Sequence, residues 1–149
     1  MESYDHDGAS LFSILAIENF TNASSRPNAE ADANIMRDVL GDLGMSEYDA
    51  EMGQNRNITK EEVIEHIASL AETIELNPCS MVVLVISSHG IFSNNPQMIY
   101  FSDGRIMPLY DLIYPIQAKL VGRPFVVFTQ ACRSQFNEHL ADDISQNIS

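Results

Sequence analysis

Two residues in this sequence have the types and positions that nucleophilic catalysis requires, Cys132 and His89. Each follows a short apolar run, Phe125–Phe128 or Met81–Ile86, of the length and composition typical of a fully buried strand. A cysteine attacks a substrate only as the thiolate, and a neighbouring imidazole can accept the thiol proton and later protonate the leaving amine. The pair therefore predicts a cysteine hydrolase if the two strand ends meet.

Both residues also have ordinary structural interpretations. A lone cysteine is most often a buried thiol without a catalytic role, and a lone histidine at a strand end is most often a surface side chain. Gly90 follows His89 directly, so its backbone N–H could hold a developing oxyanion at the same site. We expect no metal and no cofactor, because no ligand-pair spacing occurs among Cys79, Cys132, His66, His89 and His139.

The rest of the sequence alternates between strand-like and helix-like patterns. Leu11–Ile17 is predicted to be the first strand, and 29–43 an amphipathic helix that ends at a Gly44 cap. The inner face of that helix is predicted to carry Met36, Val39, Leu40 and Leu43. Residues 46–52 are predicted to be a short strand or an extended link.

The clearest helix start in the sequence is Thr59, where Glu62 completes a capping box. The apolar stripe of this second helix is Val63, Ile67, Leu70, Ala71 and Ile74. A small hairpin is predicted over 98–107, turning at Ser102–Gly104. Pro108 is predicted to occupy the first position of a third helix, with Pro115 shortening or kinking it. Its inward residues are predicted to be Leu109, Leu112, Ile113 and Ile116.

This alternation predicts an α/β fold with a mostly parallel sheet and helices on both of its faces. Ligand sites in such sheets lie at the C-terminal ends of the strands, which is where Cys132 and His89 stand. No strand-like run follows Cys132, so the cysteine-bearing strand is predicted to lack one neighbour.

Composition narrows the class of protein. The length of 149 residues suits one domain, and 45% hydrophobic residues suit a globular chain rather than a disordered one. The net charge of −13 argues against nucleic-acid binding, and the longest apolar run is too short to cross a membrane. Cys79 and Cys132 could pair in principle, but the lack of a disulfide-dense pattern and of a secretory signal favours a reduced, cytoplasmic chain.

Eight short motifs together resemble the caspase family, and their order along the chain matches the large catalytic subunit. They are Leu15–Phe20, Arg26 with Asp32, Leu40–Gly44, Asn57–Glu62, Ser88–Gly90, Asp103–Gly104, Gly122–Pro124 and Gln130–Arg133. Each motif is weak alone, and the agreement in order carries the assignment.

The resemblance implies a role for each matching position. Cys132 would be the nucleophile and His89 its acid/base partner. The backbone N–H groups of Gly90 and Cys132 would form the oxyanion hole. Arg26 and Gln130 would line the pocket for a substrate aspartate, and a guanidinium does bind a carboxylate through paired, charge-assisted hydrogen bonds.

Some local features differ from the family pattern. The patterning around Arg26, taken alone, favours an exposed loop arginine before Pro27. Asn28 and Ser134 stand where the family has glycine, and Ile91 where it often has an acidic residue. None of these differences removes a group named above.

The resemblance also implies organisation and partners. It implies a tail at 1–10, a caspase-haemoglobinase-like domain at 11–134 that is incomplete without a small subunit, and a polar interdomain linker at 135–149. Asp142 and Asp143 would be candidate processing sites. The expected assembly is a heterodimer with the small subunit, and then a dimer of heterodimers.

The expected activity is cleavage after exposed aspartates of protein substrates, in programmed cell death or a related proteolytic cascade. One alternative is a weakly active or inactive homologue that binds and regulates an active caspase. A second alternative is a related cysteine peptidase of other specificity, which Arg26 and Gln130 argue against.

Overall fold

A parallel sheet forms the centre of the part of the chain that the structure describes. The computed structural model describes residues 10–21, 25–91 and 97–131. Its elements are β1 (Leu11–Ala16), α1 (Ala29–Asp42), β2 (Ser46–Glu47), α2 (Ala50–Gln54), α3 (Lys60–Leu76), β3 (Val82–Ser88), β4 (Gly90–Ile91), β5 (Met98–Tyr100), β6 (Ile106–Pro108), α4 (Leu109–Lys119) and β7 (Phe125–Ala131). The order across the main sheet is β2, β1, β3, β7, all parallel, so the predicted α/β fold is confirmed.

Helices cover both faces of this sheet. On one face, α1 packs through Ala33 and Leu40 against Phe12 and Val85. On the other face, α3 and α4 enclose the larger core, which includes Leu84 of β3. Successive side chains of a strand point to opposite faces, and helices cover both faces of β3. All seven residues of β3 are therefore buried, which explains its continuous apolar sequence.

The helix α1 has the predicted extent but presents a different side to the sheet. Val39 and Leu43, which the apolar pattern predicts to face inward, are exposed. The buried residues include Ala29 and Ala33, together with Leu40. Large side chains of β1 and β3 already fill the sheet surface here, so small alanines allow α1 to approach it closely.

The ends of the two long helices follow the sequence signals. Gly44 adopts φ +90°, and the N–H of Met45 donates to the carbonyl of Leu40 at 3.1 Å, which is the glycine-capped ending predicted for α1. At the start of α3, Thr59 Oγ1 accepts from the Glu62 N–H, and Glu62 Oε1 accepts from the Thr59 N–H. The predicted capping box is confirmed.

The prediction for residues 46–52 is partly wrong. The strand β2 is only two residues long, and the chain then enters the short helix α2. Asp49 caps α2 with its side chain, which accepts from the Met52 N–H at 3.2 Å, and its own φ is +59°. An Asp directly before a helix-favouring run was the available signal.

The predicted hairpin is present as β5 and β6, and β4 adds a third antiparallel strand to it. Pro108 is the N-cap of α4 rather than its first helical residue. Pro115 does not end α4, which continues to Lys119. Leu112 and Ile116 are buried as predicted, while Leu109 and Ile113 are partly buried against the same core.

Within residues 10–21, 25–91 and 97–131, no helix combines the length and the apolar character needed to cross a membrane.

The predicted apolar stripe of α3 is buried in full, and the same face carries an unexpected buried histidine, His66. Its Nε2 lies 2.7 Å from Ser13 Oγ in β1. Its Nδ1 lies 3.7 Å from Asp49 Oδ2, which is long for a hydrogen bond, so the Asp49 carboxylate acts on it mainly through its charge. Burial lowers the pKa of His66, and the Asp49 carboxylate opposes this only in part.

We expect His66 to make the folded protein less stable in mild acid. Its pKa is lower in the folded state than the ordinary value of 6.5, so the unfolded chain binds a proton more readily. The stabilisation from the neutral imidazole is complete above pH 6.5. It is lost as the pH falls below 6.5 towards the lower pKa of the folded state. Urea unfolding of the assembled protein at about pH 7.5 and about pH 5.5 should show a loss that His66→Asn reduces. An equal loss in both proteins would contradict this role.

Candidate active site

The strand that ends at the candidate histidine and the strand that leads to the candidate cysteine are parallel neighbours. Ser88 of β3 lies opposite Ala131 of β7. His89 follows the first of these residues and Cys132 follows the second. Cys132 itself lies outside the described residues, as do Asp142 and Asp143. The expectation that the two strand ends meet at one edge of the sheet is confirmed.

Three of the predicted site residues line a single pocket at this edge. Arg26, His89 and Gln130 surround a cavity of about 340 Å³. The remaining lining residues come from the segment that leads into α1 and from its first turn: Ser25, Pro27, Asn28, Ala29 and Asp32. The pocket therefore forms where β3, β7 and the start of α1 converge.

Arg26 is not the exposed loop arginine that its local pattern favours, since only 7% of it is exposed. Its Nη1 donates to the Ile17 carbonyl at 3.2 Å, just beyond β1. Its backbone N–H donates to Glu18 at 2.8 Å, and its carbonyl accepts from Ala29 at the start of α1. The loop thus wraps over the end of β1 and holds the guanidinium against the pocket.

His89 is not a surface side chain either, with 1% of it exposed. The ring of Phe20 packs against the imidazole with 4.4 Å between ring centroids, and the ring of Tyr100 lies beyond at 6.4 Å. Ser88 Oγ donates to the Tyr100 carbonyl directly beside it. The aromatic contacts fix the position of the imidazole, which faces the pocket as part of its lining.

The backbone of Gly90 has a defined direction in the small sheet. The Tyr100 N–H donates to the His89 carbonyl at 3.2 Å, and Gly90 lies opposite Ile99. In an antiparallel ladder this bond makes Gly90 and Ile99 a non-hydrogen-bonded pair, whose N–H groups point away from the partner strand. The N–H of Gly90 therefore points away from β5.

Gln130 and Asn28 are two further residues that line the pocket. Gln130 is exposed and lies opposite Ser87 in the β3–β7 register. Asn28, which replaces the family's glycine, has φ −94° and makes no side-chain bond to the helix that it caps. A non-glycine residue is therefore accommodated there without backbone strain.

The second cysteine has the properties of a structural thiol. Cys79 is buried in the larger core, and burial raises the pKa of its thiol, which Arg123 only partly counteracts. It precedes β3, at the opposite end of the sheet from Ala131. The seven residues of β3 span roughly 20 Å, whereas a disulfide needs Cα atoms within about 7 Å. This separation argues against pairing with Cys132.

Sequence reasoning did not identify Arg56, which is buried beside the end of β1 and hydrogen-bonds to the Ala16 carbonyl. The chain has only eight basic residues, and this small number was the available signal that each of them could have a specific role. Phe20 was recognised only as part of a motif, and its packing on His89 was not expected.

Comparisons with known proteins agree on one family. A family model described as a caspase domain matches residues 11–148. Caspase-1 of Felis catus is 30% identical over 135 residues, which make up 87% of this chain and 32% of that protein.

Solved caspase structures share the fold. Caspase-1 from Spodoptera frugiperda superposes with a TM-score of 0.69 at 22% identity, over 86% of this chain and 49% of that one. The Drosophila initiator caspase Dronc gives 0.66 at 14% identity, over 80% of this chain and 47% of that one. The chain thus spans about a third of the curated relative and about half of these solved chains.

Proposed function

This chain belongs to the caspase family, and from that premise we propose that it is the large subunit of a cysteine endopeptidase that cleaves after aspartate. The observation that carries the proposal is the shared pocket of Arg26, His89 and Gln130. Ser88 and Ala131 lie opposite each other in β3 and β7. His89 follows Ser88 in the chain, and Cys132 follows Ala131. A base, a carboxylate-binding group and the nucleophile would then serve one bound peptide.

In the proposed reaction, His89 accepts the proton of the Cys132 thiol, and the thiolate attacks the carbonyl carbon of the scissile bond. The C–N bond breaks as His89 protonates the leaving amine. Water, deprotonated by His89, then hydrolyses the thioester and restores the thiol. The close ring of Phe20 keeps the imidazole in one position through these transfers.

The backbone would stabilise the oxyanion that forms in both steps. The N–H groups of Gly90 and Cys132 are the proposed donors, and the direction of the Gly90 N–H away from β5 supports this role. A donor that is already oriented requires little rearrangement when the charge develops.

Specificity for aspartate would come from Arg26 and Gln130. The guanidinium of Arg26 is buried, so its attraction for a carboxylate is less screened than on an open surface. Gln130 also lines the pocket, and its amide can donate a further hydrogen bond. Residues 135–149 would form the linker to the small subunit, with Asp142 and Asp143 as sites for its cleavage.

The small subunit is proposed because β7 is an open edge. Among the described strands, β7 pairs only with β3, and Phe128 in its middle is 49% exposed. A long apolar edge invites association or aggregation. A strand of the small subunit would add beside Phe125–Gln130 and complete the sheet.

We therefore expect the isolated 149-residue chain neither to melt cooperatively nor to cleave peptides. The chain coexpressed with its small subunit should be stable and should cleave a peptide with aspartate before the reporter group. A matched peptide with asparagine should be a poor substrate, because it lacks the charge that Arg26 binds.

Sedimentation, thermal melting and peptide turnover test this proposal together. A monomeric, cooperatively folded isolated chain would contradict the assembly. An assembled protein that binds an active caspase but cleaves neither peptide would instead support the regulatory alternative.

A further inference from the structure

Arg56 connects three elements beside the pocket although it does not line the pocket itself. Only 9% of the residue is exposed. Its Nη1 donates to the Gly53 carbonyl of α2 at 2.8 Å and lies 3.4 Å from the Ala16 carbonyl at the end of β1. Its Nε donates to Glu30 Oε1, in the first turn of α1, at 3.1 Å.

The backbone of Arg56 holds the residues that in turn hold Arg26. Its carbonyl accepts from the N–H groups of Glu18 and Asn19, at 2.9 and 3.2 Å. The Glu18 carbonyl accepts from the Arg26 N–H at 2.8 Å, and Arg26 Nη1 donates to the neighbouring Ile17 carbonyl. One hydrogen bond therefore separates the segment held by Arg56 from Arg26.

The ion pair of Arg56 with Glu30 holds the C-terminal end of the segment that carries Arg26. Glu30 follows Arg26 closely along the chain, and the Arg26 carbonyl accepts from the Ala29 N–H where α1 begins. Through Glu30, the Arg56 guanidinium ties the start of α1 to the end of β1. Arg26 lies between these two attachments.

These contacts are poorly suited to a purely stabilising role. Glu30 is 62% exposed, and an ion pair with one partner in solvent contributes little to stability. The Nη2 of Arg56 is buried and has no hydrogen-bond acceptor among the described residues, which is unfavourable. The buried bonds to the Gly53 and Ala16 carbonyls therefore fix the relative position of α2 and β1 as well as contributing to stability.

We infer that Arg56 is a positioning residue for the aspartate pocket, acting through Arg26. This inference rests on the proposed function, because it takes the ligand of Arg26 to be a substrate carboxylate. The rigid, forked guanidinium sets the distance between the end of β1 and the start of α1. A small displacement of Arg26 would then weaken carboxylate binding without touching His89 or the nucleophile.

Arg56→Lys, in the chain assembled with its small subunit, tests the inference. Lysine keeps the charge but cannot bind Gly53, Ala16 and Glu30 together. Because a displaced Arg26 would lose part of its paired hydrogen bonding to the carboxylate, we expect KM for an aspartyl peptide to rise about tenfold. The kcat should change by less than about twofold, as when binding alone is lost.

Arg37→Lys is the matched control. Arg37 is also partly buried and also donates to the Gly53 carbonyl, but its main partner is Glu47, at 2.7 Å. Its side-chain hydrogen bonds go to Asn34, Glu47 and Gly53. We expect its lysine variant to lower Tm while leaving KM unchanged. An unchanged KM in Arg56→Lys, or an equal rise in both variants, would overturn the inference.

Glu30→Ala provides a second test if the lysine variant does not fold, because Glu30 is largely exposed. Removing a negative charge near the pocket should by itself favour an anionic substrate and lower KM. A rise in KM of about threefold would therefore reflect the loss of the Arg56–Glu30 contact rather than the loss of the negative charge. A fall in KM would overturn the inference.

The outcome for Arg56 can be separated from that of the proposed function. The Kd of a peptide that ends in aspartate can be measured without turnover. Weaker binding to Arg56→Lys than to Arg37→Lys supports the positioning role even if the wild-type protein cleaves nothing. If the wild type cleaves the peptide and the two variants bind it with equal Kd values, the positioning role of Arg56 is overturned and the proposed function is not.

Discussion

Cys132→Ala is expected to lower kcat/KM on an aspartyl peptide by at least about three orders of magnitude in the chain assembled with its small subunit. The variant retains the pocket of Arg26, His89 and Gln130 but has no thiolate to attack the carbonyl carbon. Peptide binding should therefore survive while turnover is lost. The Tm should change little, because only one sulfur atom is removed.

The second cysteine provides the control for this result. Cys79 is buried and its pKa is raised, so its thiol should stay protonated and inaccessible. Cys79→Ala should lower stability, through the loss of a core contact, and leave kcat close to that of the wild type. An electrophilic aspartyl inhibitor should label Cys132 and not Cys79, as intact-mass and peptide mapping would show. Equal labelling of both cysteines would contradict the assignment of the nucleophile.

Arg26→Lys should lower kcat/KM for cleavage after aspartate by roughly a hundredfold. A guanidinium can bind both carboxylate oxygens at once, and a lysine ammonium cannot reproduce this planar geometry. Hydrogen bonds to charged groups contribute about 1.5–3 kcal/mol each, and about 2.7 kcal/mol corresponds to a hundredfold. The lysine would also lose the bond from Arg26 Nη1 to the Ile17 carbonyl.

Arg105→Lys is the matched control for this variant. Arg105 is exposed and lines a separate surface hollow with Lys60 and Ile64. Its replacement should leave kcat/KM unchanged. The effect of Arg26→Lys would then be specific to Arg26 and not a general effect of losing a guanidinium. If Arg26→Lys cleaves the aspartyl peptide as well as the wild type does, Arg26 is not part of the specificity pocket.

The sheet and its polarity could be predicted from the sequence because local signals agreed with tertiary packing. The apolar run of β3 is long enough only for a strand buried on both faces, and the capping box at Thr59 fixes the start of α3. The strand-to-helix alternation then requires parallel neighbours. The meeting of the β3 and β7 ends follows from these facts.

Features that depend on packing between distant segments could not be predicted in this way. Val39 and Leu43 are as apolar as Leu40, and only the sheet surface beneath α1 determines which of them is buried. Arg26 and Arg56 have the sequence surroundings of loop arginines. Each is buried because strand-end carbonyls at Ile17 and Ala16 are available to it, and these partners are remote in sequence.

The pairing of β1 between β2 and β3 has a consequence for the order of folding. Leu11 is opposite Val82, so α1, β2, α2 and α3 all separate β1 from this neighbour along the chain. During synthesis, β1 leaves the ribosome long before β3 exists. Sheets built from such distant parallel pairs fold slowly and expose apolar strands meanwhile. Chaperone dependence would then be greatest while the segment between Ala16 and Val82 is being translated.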